Sequence, residues 1–167
     1  PLYLVQSRGL SITEMTLLGT LAFAAQAVAA FVFGAISDGW TRSGRSEAMI
    51  RRWMMIGAQL VQAVAIMGIL WADTKVTLAV WLCVAGIATG SLSLNIFAVA
   101  QMFAGRTAAG TWVGFQNALG NFSGIFGPLI TGWIVDQAGY DSAFVVCAAI
   151  VAAGGIWWVI GVPKNEQ

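Results

Sequence analysis

Charged residues divide this chain into five long apolar runs. A bilayer core about 30 Å thick requires about 20 apolar residues in a helix that rises 1.5 Å per residue, so each run is long enough to cross it. Because hydrocarbon offers no water to backbone N–H and C=O groups, the runs are predicted to be helices. The pattern therefore indicates an all-α membrane protein, with one transmembrane helix bundle over residues 1–167. The predicted spans are residues 15–37, 53–72, 76–105, 107–135 and 142–163.

Basic residues are distributed unevenly among the loops, and this predicts an orientation for the bundle. Half of them follow the first run, at Arg42, Arg45, Arg51 and Arg52, whereas the loop 136–141 has none. Short cytoplasmic loops carry an excess of lysine and arginine. We therefore expect the loop after the first run and the C-terminus to lie in the cytoplasm of a multi-pass membrane protein.

The first residues suggest that the chain is part of something longer. Five spans that begin outside the cell are an awkward plan for a complete membrane protein. The segment Pro1-Leu-Tyr-Leu-Val also reads as the last turns of a helix. We expect that at least one upstream helix is missing.

Composition excludes several classes of function. Hydrophobic residues make up 59% of the chain and charged residues 9%, whereas a soluble domain carries about 25% charged residues. Histidine is absent, and Cys83 and Cys147 lie inside apolar runs without metal-ligand spacing, so no metal, cofactor or disulfide framework is predicted. The net charge of +1 does not indicate an acidic partner, and nucleic acid is excluded because its binding would need a basic patch that a membrane surface cannot supply. An intramembrane enzyme would need a base or a carboxylate pair, so no catalytic residue is predicted.

Small residues predict which runs pack closely. In the fourth run, a helical spacing of 100° per residue places glycine and asparagine on one face and bulky apolar side chains opposite. The third run has Gly86 and Gly90 four residues apart, and the first run is rich in alanine around Gln26. The second and fifth runs are more uniformly apolar, so we expect them at the periphery. The small and polar face of the fourth run comprises Gly110, Gly114, Asn117, Asn121, Gly124 and Pro128.

Polar side chains within the runs have two interpretations. An amide or hydroxyl there can join neighbouring helices, at about 1 kcal/mol for each hydrogen bond. Two neighbouring runs, however, both place amides and small residues at the predicted middle of the membrane, which favours a polar cavity. The candidates are Gln26, Ser91, Asn95, Gln116, Asn117 and Asn121.

The segment Gly34-Ala-Ile-Ser-Asp38-Gly-Trp-Thr-Arg42-Ser-Gly-Arg45 closes the first run. Asp38 is placed to pair with Arg42, with Arg45 or with the positive N-terminus of a neighbouring helix. The alternative is an ordinary basic loop whose charge only sets the orientation.

Two segments resemble the second half of the major facilitator superfamily. Gly34-x-x-x-Asp38, with Arg42 and Arg45 after it, resembles the loop signature between its eighth and ninth helices. Gly114 to Pro128, continuing to Thr131-Gly132, is similar to the eleventh helix of the anion:cation symporter family, which includes hexonate, glucarate, phthalate and sialic-acid transporters. Pro1-Leu-Tyr3 and Gly9-Leu-Ser11 resemble the end of the seventh helix and the outer loop after it.

The resemblance covers the whole chain and implies the C-terminal half of a twelve-helix fold, from the end of helix seven through helix twelve. It implies a secondary active transporter of a bacterial inner membrane, moving a small organic anion by alternating access, with proton symport and a missing N-terminal half. It also implies a loop gate at Gly34, Asp38, Arg42 and Arg45. The residues that it implies for substrate binding, with Asn117 foremost, are Asn117, Asn121, Gln116, Ser91, Ser93, Asn95 and Gln26.

Two other interpretations of the chain stay open. A different branch of the superfamily would export a drug or neutral solute, and residues upstream of this chain would discriminate it from an anion symporter. A non-catalytic assembly subunit of five helices would satisfy the packing features without any solute.

Overall fold

The computed structural model describes residues 2–160, and these residues form helices joined by short turns, with no strand among them. The helices are α1 (Leu2–Gln6), α2 (Ile12–Arg42), α3 (Glu47–Leu70) and a long hydrogen-bonded run, Lys75–Ile160. The predicted all-α fold is therefore confirmed.

The long run is divided by two glycines with left-handed backbone angles. Gly105 has φ +67° and Gly139 has φ +79°, a conformation that glycine adopts without steric cost. We label the resulting pieces α4 (Lys75–Gly105), α5 (residues 107–138) and α6 (residues 140–160).

The chain reverses at Gly139. A straight helix of the 54 residues from Thr107 to Ile160 would be about 80 Å long, far more than a bilayer core. Trp112 and Trp158 instead line one cavity, so the two ends of this stretch lie together. Gly139 falls within the predicted loop 136–141. Among the residues that the structure describes, four helices are apolar and long enough to cross a membrane, α2, α3, α4 and residues 107–160. The division into five spans stays a prediction.

Serine caps begin two of the helices. The Ser11 hydroxyl accepts from the Glu14 backbone N–H at 3.2 Å, and the Glu14 carboxylate accepts from the Ser11 N–H at 2.9 Å. This reciprocal arrangement satisfies two backbone donors at the start of α2. At the start of α3, the Ser46 hydroxyl accepts from the Met49 N–H at 3.3 Å. The sequence thus contains its own signals for where these helices begin.

Helices α2 and α4 cross in close contact at two glycines. A Cβ added at Gly86 would clash with the carbonyl oxygen of Ala22, and one at Gly90 would clash with that of Gln26. Such a crossing is possible only where the side chain is a hydrogen atom, which is why small residues four apart recur at helix contacts in membranes. The prediction of a packing role for this glycine pair is confirmed.

Helix α3 is the most buried long helix, so the expectation that it is peripheral was wrong. In the most apolar stretch of α3, 39% of residues are buried, against 11% in α2 and in residues 107–160. The reason is a face of small residues on α3, where Ala58, Ala65 and Gly68 are all buried. In the sequence, the larger apolar residues around them hide this face. Gly68 receives the ring of Trp81 from α4.

Arg8 forms hydrogen bonds that join two helices at one end of the bundle. Its guanidinium donates to the carbonyl oxygens of Ile69 at 3.0 Å, Leu70 at 2.6 Å and Ala72 at 2.7 Å. These carbonyls lie at the end of α3, where a cation interacts favourably with the helix dipole. Arg8 Nε also donates to the Tyr3 hydroxyl at 2.7 Å. The end of α1 is therefore tied to the end of α3.

Candidate functional site

Ser91 and Asn95 lie buried between helices. Asn95 has no exposed surface and Ser91 is 3% exposed. The Asn95 amide donates to the Ser91 carbonyl at 2.8 Å, and its oxygen accepts from the Arg51 guanidinium at 3.4 Å. Both polar groups of the Asn95 amide are thus engaged within this part of the protein.

Asn95 lies in the half of α4 that is nearer to Gly105. It comes 20 residues after Lys75, the first residue of α4, which corresponds to about 30 Å along a helix. Its partner Arg51 belongs to the second turn of α3, close to the α2–α3 loop. Asn95 lies ten residues before Gly105 and Asn117 lies twelve residues after it. The Gln116 side chain, next to Asn117, donates to the Ile96 carbonyl, next to Asn95, so the two asparagines lie at a similar depth on α4 and α5, as expected.

Arg51 and Arg52 have structural partners that the sequence analysis missed. Arg51 forms an ion pair with Glu47 at 2.7 Å, and its side chain is only 11% exposed. Arg52 is 8% exposed and donates to the carbonyl of Val159 at the end of α6. A signal was present, because a cation at a helix N-terminus is opposed by the helix dipole and needs a compensating partner.

Helix α5 presents an uncovered polar face. Asn117 and Asn121 are exposed, and the Asn121 amide donates to the Asn117 carbonyl within the same helix at 2.8 Å. A Cβ added at Gly110 or Gly114 would meet no atom within 4 Å. The small and polar face predicted from the sequence is present on α5, and the described residues do not cover it.

Gln116 lies apart from that face, against α4. Its side-chain N–H₂ donates to the carbonyl of Ile96 at 3.4 Å, while its amide oxygen is buried with no hydrogen-bond partner among the described residues. It lines a cavity of about 350 Å³ whose other walls are apolar and largely aromatic, including Phe103, Trp112 and Trp158. This cavity is unlike the polar one that the sequence suggested.

The remaining candidates lie on α2 and α4. Gln26 is half-buried at the crossing beside Gly90, and Ser93 is exposed. No hydrogen bond between described residues joins Asn117 or Asn121 to any candidate on α2 or α4. The roles of all seven residues in substrate binding stay predictions.

The segment from Gly34 to Arg45 lies at the end of the bundle near the α2–α3 loop. A Cβ added at Gly34 would lie 3.6 Å from the Leu94 side chain of α4, so α2 and α4 also approach each other here. Asp38, Arg42 and Arg45 are exposed. The ion pairs among described residues are Arg51–Glu47 and Lys75–Glu14, so the suggested pairing of Asp38 with Arg42 or Arg45 is not found.

Comparison with known families decides the affiliation. The model of the Major Facilitator Superfamily matches residues 1–167. The chain belongs to this superfamily. It is accordingly part of an integral, multi-pass membrane protein, and the resemblance stated above is confirmed at the level of the superfamily.

Named relatives of this superfamily member are transporters of sugar acids. The hexuronate transporter of Bacillus subtilis is 28% identical over 158 residues, which cover 93% of this chain and 36% of the relative. A "Probable galactarate/D-glucarate transporter" of Pseudomonas putida is 31% identical over 140 residues, 83% of this chain and 30% of the relative. The D-galactonate transporter of Escherichia coli is 24% identical over 160 residues, 96% of this chain and 37% of the relative.

These relatives bear on two expectations. Each is named as a transporter, which confirms the expectation that the chain is not an enzyme. They also agree with the anion-transporting branch to which the residues of α5 were compared. The chain spans about a third of the length of the relatives it matches.

Proposed function

We propose that this chain is the C-terminal part of a secondary active transporter that moves a small organic anion, a sugar acid or related carboxylate, across a bacterial inner membrane. The observation that carries the proposal is the similarity of nearly the whole chain to relatives named for hexuronate, galactonate and galactarate or glucarate transport. In this proposal, the C-terminus lies in the cytoplasm, the transport is coupled to protons, and the site opens alternately to each side.

The open face of α5 supports a role in the solute path. Asn117 and Asn121 expose amides among glycines, and amides offer both donors and acceptors to the hydroxyl groups of a sugar acid. We infer that the N-terminal half of the transporter lies opposite this face, with the solute between the two.

The charge of the solute requires a cation beside the solute, and neither of the largely buried arginines of α3 is free to supply it, while the exposed Arg42 and Arg45 lie at the loop end of the bundle. Arg51 and Arg52 are engaged with Glu47, Asn95 and Val159, and an unpaired carboxylate in a membrane interior is strongly unfavourable. We therefore assign the cation and the proton-carrying group to the N-terminal half.

Other candidates differ in how readily a solute would reach them. Ser93 is exposed and Gln26 and Gln116 are half-buried, so they remain within reach of small side-chain movements. Ser91 and Asn95 are buried, and they would contact solute only if α3 and α4 separated. Gly34, Asp38, Arg42 and Arg45 are proposed to contact the N-terminal half when the site is closed on that side.

The proposal is tested by uptake into proteoliposomes that contain the full-length protein. Labelled hexuronate, galactonate, galactarate, an aromatic acid and a neutral sugar are compared with and without an imposed pH gradient. We expect gradient-driven accumulation of at least one sugar acid and none of the neutral sugar.

Two variants connect the uptake to the face of α5. Asn117→Ala should lower uptake about fivefold to a hundredfold, since losing a hydrogen bond to a buried solute costs on the order of 1–3 kcal/mol. Gln137→Ala removes an exposed amide near the other end of α5 and should leave uptake unchanged. Export of a neutral compound, or the absence of any solute-dependent flux, would instead favour the efflux or assembly-subunit interpretation.

A further inference from the structure

Half of the basic residues of the chain fall within one short stretch. Residues 38–52 contain four of the eight, opposed by two carboxylates, Asp38 and Glu47, which leaves a net charge of +2. This stretch comprises the last turn of α2, the α2–α3 loop and the first turns of α3.

The arginines of this stretch divide into two pairs. Arg51 and Arg52 are largely buried and bind within the bundle, to Glu47 and to the carbonyl of Val159 respectively. Arg42 and Arg45 are exposed, and neither forms an ion pair with another described residue. Only the second pair is available to a partner outside this part of the protein.

The backbone of the loop holds this second pair in place. The Ser43 N–H donates to the Gly39 carbonyl at 3.1 Å, and the Gly44 N–H donates to the Thr41 carbonyl at 3.0 Å. Gly44 has φ +85°, the left-handed turn that commonly ends a helix. Arg42 and Arg45 therefore extend from a defined turn rather than from a long flexible segment.

Two exposed tryptophans lie near the loop, one on each of the helices that it joins. Trp40 is 43% exposed at the end of α2, and Trp53 is 62% exposed in the second turn of α3. Tryptophan concentrates at the boundary between hydrocarbon and water in membrane proteins. The Arg45 guanidinium carbon lies 5.6 Å from the centroid of the Trp40 ring. This contact joins the cation to a residue type that favours the boundary between hydrocarbon and water.

We propose that the α2–α3 loop is a docking surface for anionic phospholipid headgroups, with Arg42 and Arg45 binding the lipid phosphate and Trp40 and Trp53 resting at the hydrocarbon boundary. Guanidinium groups match phosphate oxygens in geometry and charge. Asp38, which is exposed next to this pair, opposes the binding and limits its strength. The proposal concerns lipid rather than solute, and it does not depend on the transported substrate. It applies to the state in which the loop is open to the headgroups, since the same residues are proposed above to contact the N-terminal half when the site is closed on that side.

The test measures lipid selectivity in the full-length protein. Protein equilibrated with mixed micelles of phosphatidylglycerol and phosphatidylcholine is analysed by native mass spectrometry, which counts each lipid that remains bound. We expect preferential retention of phosphatidylglycerol. Each of Arg42→Gln and Arg45→Gln should lower the selectivity about fivefold, which corresponds to the contribution of one basic residue near an anionic surface.

A matched control removes one exposed cation at the other end of the bundle. Lys75→Gln changes the net charge by the same amount as Arg42→Gln, but Lys75 lies at the start of α4 and pairs with Glu14, so it should leave the selectivity unchanged. Asp38→Asn should raise the selectivity. This variant retains every arginine, so it is informative even if the arginine variants insert poorly.

Three outcomes would overturn the proposal. Selectivity that survives the double substitution of Arg42 and Arg45 would mean that these arginines serve only the orientation of the chain. An equal loss in Lys75→Gln would mean a general effect of charge. Displacement of the lipid by an equal concentration of inorganic phosphate would mean a site for soluble anions.

Discussion

Helices α4 and α5 carry the same residue types in different surroundings. Both contain glycines four residues apart, Gly86 with Gly90 and Gly110 with Gly114, followed by asparagine. On α4, the glycines meet the backbone of α2 and the asparagine is fully buried. On α5, the glycines meet nothing within 4 Å and the asparagines are exposed.

This difference shows what a small and polar helix face can and cannot specify. Such a face permits close approach by another surface and offers hydrogen bonds to it. It does not specify whether that surface is a neighbouring helix, a distant part of the protein or a solute. On α4, the glycines are covered by α2, while Asn95 lies on another side of the helix and bonds to Arg51 of α3. On α5, the glycines and asparagines share one face, and the described residues leave that face open to a distant part of the protein or to a solute.

The largest difference between α4 and α5 is expected when one methyl group is added to a glycine of each helix. Gly90→Ala would push a Cβ into the backbone of α2, with the Ala29 Cβ at 3.0 Å, and overpacking of this kind costs about 1–3 kcal/mol. Gly114→Ala adds the same atom where space is open, and alanine favours a helix by up to about 1 kcal/mol over glycine. Thermal unfolding of the full-length protein in detergent should therefore separate the two variants clearly.

Each of the two variants is the control for the other, because both replace a helical glycine with alanine. An equal loss of stability would mean that Gly114 also packs against protein. The α5 face would then be a helix contact with the N-terminal half rather than part of a solute path.

Asparagine gives a second, smaller contrast. Asn95→Ala removes a buried amide that bonds to the Ser91 carbonyl and to Arg51, and hydrogen bonds between membrane helices contribute about 1 kcal/mol. Asn121→Ala removes an exposed amide that bonds only within its own helix among the described residues. We expect a lower unfolding temperature for the first variant and no measurable change for the second. A larger loss in Asn121→Ala would show that α5 is covered in the full-length protein.

Much of the fold follows from the hydrophobic pattern alone. Runs free of charge predicted where the helices lie, and Ser11 and Ser46 mark where α2 and α3 begin. The glycine pair of α4 also predicted close packing correctly. These features are local, so the sequence contains the information that determines them.

The burial of particular residues could not be predicted in the same way. Asn95 and Asn117 have identical side chains, and only the tertiary contacts of α4 with α3 distinguish them. The burial of α3 depends on the contact between Gly68 and the Trp81 ring of α4. The periodicity of apolar residues along the chain does not predict such a contact. Arg51 and Arg52 were interpreted through the topology rule, whereas their partners Asn95 and Val159 come from distant parts of the chain.

The smallest expected effect on stability is that of an exposed ion pair. The two ion pairs again allow a buried group to be compared with an exposed one. The Arg51 side chain is 11% exposed beside Glu47, whereas Lys75 is 66% exposed beside Glu14 at 2.5 Å. Water and salt weaken an exposed pair, and such pairs contribute only about 0–1 kcal/mol to stability. Lys75→Gln should therefore leave the unfolding temperature unchanged within error at physiological salt. Arg51→Gln should lower it, because Glu47 and the buried Asn95 would both lose a partner. The unfolding temperature of Lys75→Gln should also be measured at low and at high salt. If the variant lost much stability at both salt concentrations, the contact between the starts of α2 and α4 would be shielded from water by a part of the protein outside these residues.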